Sequence, residues 1–93
     1  MQTCIVIPTP LRFKTFMEIA LEVTFSILDP VTHNNVKRLL NRVPNNLSTE
    51  TLTTSMEEKN QIRECLNAFK QSRTYYWVRE DFLQELKDLE GQC

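Results

Sequence analysis

Hydrophobic and polar residues alternate through residues 11–28, LRFKTFMEIALEVTFSIL. Leu11, Phe13, Met17, Ile19, Leu21, Val23, Phe25 and Ile27 hold the odd positions, with Thr15 the one polar exception. Arg12, Lys14, Glu18, Glu22, Thr24 and Ser26 stand among the even ones. Side chains of a strand point alternately to opposite faces, so this period predicts one long, half-buried strand over residues 11–28. Its second half, EVTFSI, is rich in β-branched and aromatic residues, which fit a pleated surface. Thr15, Glu18, Glu22 and Ser26 also fall on one stripe at helical spacing, and residues 17–22 are helix-prone. A helix starting near Lys14 that turns to strand near Leu21 is therefore a third arrangement.

A strand of that length would run roughly 55–60 Å, more than a small domain can cover. It must bend or bulge, with Phe16 the place where the alternation slips, or a second copy must cover it. Because an open edge of this length invites aggregation, the pattern predicts a homodimer paired along this stretch. Leu21, Val23, Phe25 and Ile27 are its candidate interface.

Residues 2–7 read as a short strand that Pro8 and Pro10 bring to an end, poised to form an antiparallel hairpin with the start of the long stretch. Beyond residue 28 the period changes. Asp29 followed by Pro30 suits a helix start, and Val36, Leu39, Leu40 and Val43 mark the buried side of a helix over 30–43, with Val31 or Thr32 one turn earlier. Pro44 stops it. Residues 45–54 are polar and threonine-rich, a loop or one weak helical turn. Ser55 and Glu58 form a capping box for a helix over 55–72, with the stripe Ile62, Cys65, Leu66 and Phe69. Residues 74–78 are β-prone, and Val78, Phe82, Leu86 and Leu89 predict a last helix over 78–90. Strands first and helices after indicate an α+β domain, a small antiparallel sheet with about three helices packed on it; an all-α bundle is the alternative.

Ninety-three residues, 41% hydrophobic and 25% charged, predict a single globular domain spanning 1–93. The one glycine, Gly91, leaves no glycine-rich phosphate loop. Three widely spaced cysteines, Cys4, Cys65 and Cys93, indicate reduced thiols, and neither a signal-peptide core nor a membrane-spanning run is evident. A cytoplasmic or nuclear location without membrane contact is expected.

Candidate chemistry is sparse. His33 and three cysteines without a C-x-x-C pair do not make a metal site, and Cys65 on an apolar stripe reads as a buried, inert thiol. Paired acids such as Glu57 with Glu58 lie on exposed faces or first turns, where they favour the helix dipole. Neither a catalytic set, a metal nor a cofactor is expected. Tyr75, Tyr76 and Trp77, followed by Arg79, form an aromatic cluster suited to anchoring another protein, with Tyr76 facing outward. The leading expectation is a non-enzymatic protein–protein interaction module, an adaptor, inhibitor or accessory factor, acting as a homodimer. The alternative is a dimeric nucleic-acid binder using Lys37, Arg38 and Arg42, set against a net charge of −1.

Overall fold

The computed structural model describes residues 2–78 and 80–92. Strand β1 (Gln2–Ile7) pairs antiparallel with β2 (Glu50–Ser55), and four helices complete the domain: α1 (Pro10–Val23), α2 (Pro30–Asn41), α3 (Met56–Lys70) and α4 (Glu80–Gln92). A 3₁₀ turn, Arg73–Trp77, links α3 to α4. The fold is α+β, as expected, with a two-stranded antiparallel sheet and four helices rather than about three, but its strands do not both lead the chain: α1 and α2 lie between them.

The long strand expected over 11–28 is instead α1 and a run of turns. The buried residues of α1 are Pro10, Phe13, Phe16, Met17, Ala20 and Leu21, with Thr24 just beyond, steps of three and one that place them on one side of a helix. Leu11 and Ile19, which a strand would bury, are exposed. Pro10 opens the helix at a position where a missing N–H costs nothing. Thr24 is a polar residue fully buried because its hydroxyl donates to the carbonyl of Ala20 at 2.7 Å. Past Val23 the helix gives way to turns, and Ile27 N–H and Leu28 N–H both donate to Thr24 C=O.

The sheet also differs from the hairpin expected with residues 11 onward. The partner of β1 is the threonine-rich segment read as a loop, in an uninterrupted register from Gln2 opposite Ser55 to Ile7 opposite Glu50. Ile5 and Ile7 point into the core, while the opposite face shows Cys4, Val6, Thr51 and Thr53. Residues 74–78, read as a strand or corner, fall in the 3₁₀ turn and its exit.

The remaining elements follow their sequence signals. Asp29 Oδ2 accepts from the N–H groups of Val31 and Thr32 at 3.1 and 3.2 Å, capping α2. The capping box opens α3: Glu58 N–H donates to Ser55 Oγ at 3.0 Å, and Ser55 N–H donates to Glu58 Oε1 at 2.8 Å. Val36, Leu39, Leu40, Val43, Ile62, Cys65, Leu66 and Phe69 are all buried. Helix α2 lies most extensively against α3, α1 packs on both, and α4 seals the far side with Leu86 and Leu89.

Candidate functional site

Helix α1 separates two apolar grooves. On one flank, Phe16 and Ile19 join Phe69, Thr74, Trp77, Val78 and Phe82 around a groove of about 200 Å³. On the other, Leu21 and Phe25 face Leu40 across a groove of about 520 Å³. Glu18, Glu22, Lys37 and Asn41 line that second groove, and the His33 ring meets Phe25 edge-on with centroids 5.4 Å apart.

The first groove is built by the end of α3. Ser72 Oγ and Ser72 N–H both donate to Phe69 C=O, at 2.6 and 3.0 Å, and the chain then tightens into the 3₁₀ turn. Tyr75 turns inward, its ring edge-on to Phe69 at 6.1 Å. With Tyr75 fastened inside, Tyr76 and Trp77 are forced out and stand 83% and 84% exposed. On the groove's inner wall Phe16 contacts Phe69 edge-on and stacks on Phe82, with centroids 5.7 Å apart in each pair. Arg12 lies over Phe82 at 5.7 Å and pairs with Glu85 at 3.3 Å.

Of the expected partner-binding residues, Tyr76 and Trp77 are therefore on the surface, Tyr75 is half-buried as their support, and Arg79 lies outside the described residues. The expected dimer-interface residues do not share a strand edge. Leu21 belongs to the protein's own core, Val23 is half-buried against it, and Phe25 and Ile27 are exposed on the turns after α1. The period-two signal grouped these four, whereas the helix and its following turns disperse them.

Lys37, Arg38 and Arg42 are all exposed, in different surroundings. Lys37 lines the α1–α2 groove, whereas Arg38 lies on the α3 side beside Glu57, Glu58 and Gln61. Arg42 forms an ion pair with Glu58, the same acid that closes the capping box. Acids from α3 thus offset the charge that the α2 sequence displays. The α1–α2 groove went unforeseen, although three residues singled out for other roles, Leu21, Phe25 and Lys37, meet there. Helical spacing of Leu21 and Phe25 across from Leu40 was the available signal.

Among the described residues no cluster of three or more His, Cys, Asp or Glu side chains can hold a metal ion, and no helix is long and apolar enough to cross a membrane. Cys4 and Cys65 are free thiols, exposed and buried respectively. Burial pushes the Cys65 thiol up to about 11, with the neighbouring Thr24 hydroxyl offsetting part of the rise. At neutral pH it is a protonated thiol, a poor nucleophile. In a Cys93→Ser background, Cys4 will react with a maleimide at pH 8 and Cys65 only after denaturant is added. Because the folded value lies above the ordinary 9.0, the stability this group contributes is intact below pH 9. It is lost as pH rises from 9 towards 11, to a limit of about 2–3 kcal/mol. Urea titrations at pH 8 and pH 11 will show that loss in wild type and a smaller one in Cys65→Ala.

No family model, curated protein or solved structure matches the chain, so its function is read from its own residues.

Proposed function

We propose that this protein is a non-enzymatic interaction module, an adaptor or accessory factor of the cell interior, that captures a partner protein with Trp77 and Tyr76 as anchors. The observation that carries the reading is the exposure of both rings, 83% and 84%, on a turn whose inner aromatic is locked against Phe69. Large aromatic side chains bury much area at low entropic cost, and a rigid base reduces that cost further. The groove of Phe16, Ile19, Val78 and Phe82 beside them supplies an apolar seat for a partner side chain. The α1–α2 groove, with Phe25 73% exposed at its edge, offers a second contact on the other flank of α1. Two separated apolar surfaces suit a protein that bridges others.

The test places a photo-crosslinking residue at position 77 in cells and identifies the captured protein, with position 57 on α3 as control. The purified partner should then bind Trp77→Ala about thirtyfold more weakly than wild type, the loss of a central anchor. Capture equal at both positions, or affinities within twofold, would overturn the reading. So would tight, salt-sensitive binding of labelled RNA or DNA that survives Trp77→Ala and fails in Arg38→Glu.

A further inference from the structure

The two-stranded sheet has an outer edge on β1, and one residue closes part of it. Val6 N–H donates to Gln92 Oε1 at 2.7 Å, and Gln92 Nε2 donates back to Val6 C=O at 2.8 Å. The end of α4 thus lays a side-chain amide against β1 where a neighbouring strand would place a peptide group. Lys59 Nζ, donating to the carbonyl of Gln92 at 3.2 Å, fastens that helix end to α3.

These bonds fix the direction of the whole edge. Val6 turns both main-chain groups away from β2, so by the two-residue repeat Cys4 and Gln2 do the same. Among the described residues, Gln92 supplies the hydrogen bonds found on this side. The strand QTCIVI has no charge, no proline and no bulge, the devices that guard an exposed edge. The outer edge of β2 is better defended: Glu50 begins the strand, and the outward N–H of Ser55 is taken by Glu58.

We propose that the β1 edge pairs with the β1 edge of a second copy of this chain, and that Gln92 is a removable strand mimic that closes it in the monomer. A twofold axis at Cys4 sets Cys4 opposite its counterpart and Gln2 opposite Val6, neutral against neutral throughout, and joins two sheets into one. With Gln92 seated, the Cys4 pair alone can form its bonds; with Gln92 released, the whole strand can. This interface stands apart from the Trp77 surface and does not depend on it.

The experiment is sedimentation velocity across a concentration series for wild type, Gln92→Ala and Gln92→Ala with Cys4→Pro, each checked for fold by circular dichroism. Gln92→Ala should dimerise with a dissociation constant lowered roughly tenfold or more, the equivalent of two competing hydrogen bonds removed. Cys4→Pro deletes an outward N–H without touching the β1–β2 ladder, and should return the protein to monomer. A short bis-maleimide in a Gln92→Ala, Cys93→Ser background gives a readout free of proline. Opposed residues of this pair type lie about 5.5 Å apart at Cα, so Cys4 should link to Cys4. A Gln92→Ala protein that stays monomeric, or a dimer that neither links through Cys4 nor responds to Cys4→Pro, would overturn the proposal. Trp77→Ala should leave the dimer unchanged, which separates this result from that of partner binding.

Discussion

Phe16→Ala will lower the unfolding free energy by about 3–5 kcal/mol, whereas Phe25→Ala will leave it within about 0.5 kcal/mol. Phe16 is 1% exposed and sits at the junction of three elements, edge-on to Phe69 of α3 and stacked on Phe82 of α4. Truncation removes the transfer energy of the ring and leaves a cavity that close-packed neighbours refill only in part. It also withdraws the ring on which half-buried Phe82 leans, so α4 loses part of its seat. For a domain of this length the whole stability is about 5–14 kcal/mol, so the loss is a large share of it. Urea denaturation followed by far-ultraviolet circular dichroism will show a midpoint shift for Phe16→Ala alone. Phe25 is mostly in solvent, and its one ring contact among the described residues is a T-shaped one with His33, so its removal costs little. The pair of variants also discriminates between secondary structures. A strand over 11–28 would bury Phe25 with Phe13 and expose Phe16, and the two costs would be exchanged.

That exchange shows where the sequence was legible. Helices α2 and α3 were readable because their starts carry explicit capping chemistry, Asp29 before Pro30 and Ser55 with Glu58, and their apolar stripes are clean. Helix α1 was misread because two buried positions, Ala20 within it and Thr24 just past its end, do not look like core, while Leu11 and Ile19 look like core and are exposed. The odd-position tally therefore borrowed residues from solvent. Tertiary packing decided the matter: a helix here lets Phe13, Phe16, Met17 and Leu21 reach the core together. Strand β2 was missed for the opposite reason. ETLTTS has one large apolar residue, Leu52, and its inward partner Thr54 is small and polar; such a segment becomes a strand only through β1. The site was legible in kind but not in layout. An aromatic triplet cannot point one way, and the sequence therefore promised an outward ring, while the inward role of Tyr75 needed the position of Phe69. The basic face of α2 was visible, yet the acids of α3 that meet it come from a different part of the chain.

Ile5→Pro will unfold the protein or nearly so, while Cys4→Pro, one residue earlier, will cost no more than about 1 kcal/mol in the monomer. The contrast follows from the direction of the β1 backbone. Val6 gives both main-chain groups to Gln92 on the outer side, so Ile5 gives both to β2, opposite Leu52. Proline at position 5 removes a ladder donor from the middle of a sheet that has, among the described residues, no third strand to hold it. It also deletes an isoleucine side chain with no exposed surface, part of the cluster beneath the sheet. Truncating such a side chain alone costs about 2–5 kcal/mol, and leaving the opposed carbonyl of the ladder without its donor adds about 1–3 more. Their sum reaches the expected stability of the whole domain. Cys4 has its side chain in solvent and its N–H on the open edge, so proline there takes nothing from the ladder or the core. Circular dichroism and amide hydrogen exchange will report the difference: Cys4→Pro should retain protection at Ile5 and Ile7, and Ile5→Pro should lose it throughout β1 and β2. Equal damage from the two prolines would mean that the edge of β1 faces the other way, and would remove the geometric basis for strand pairing between copies.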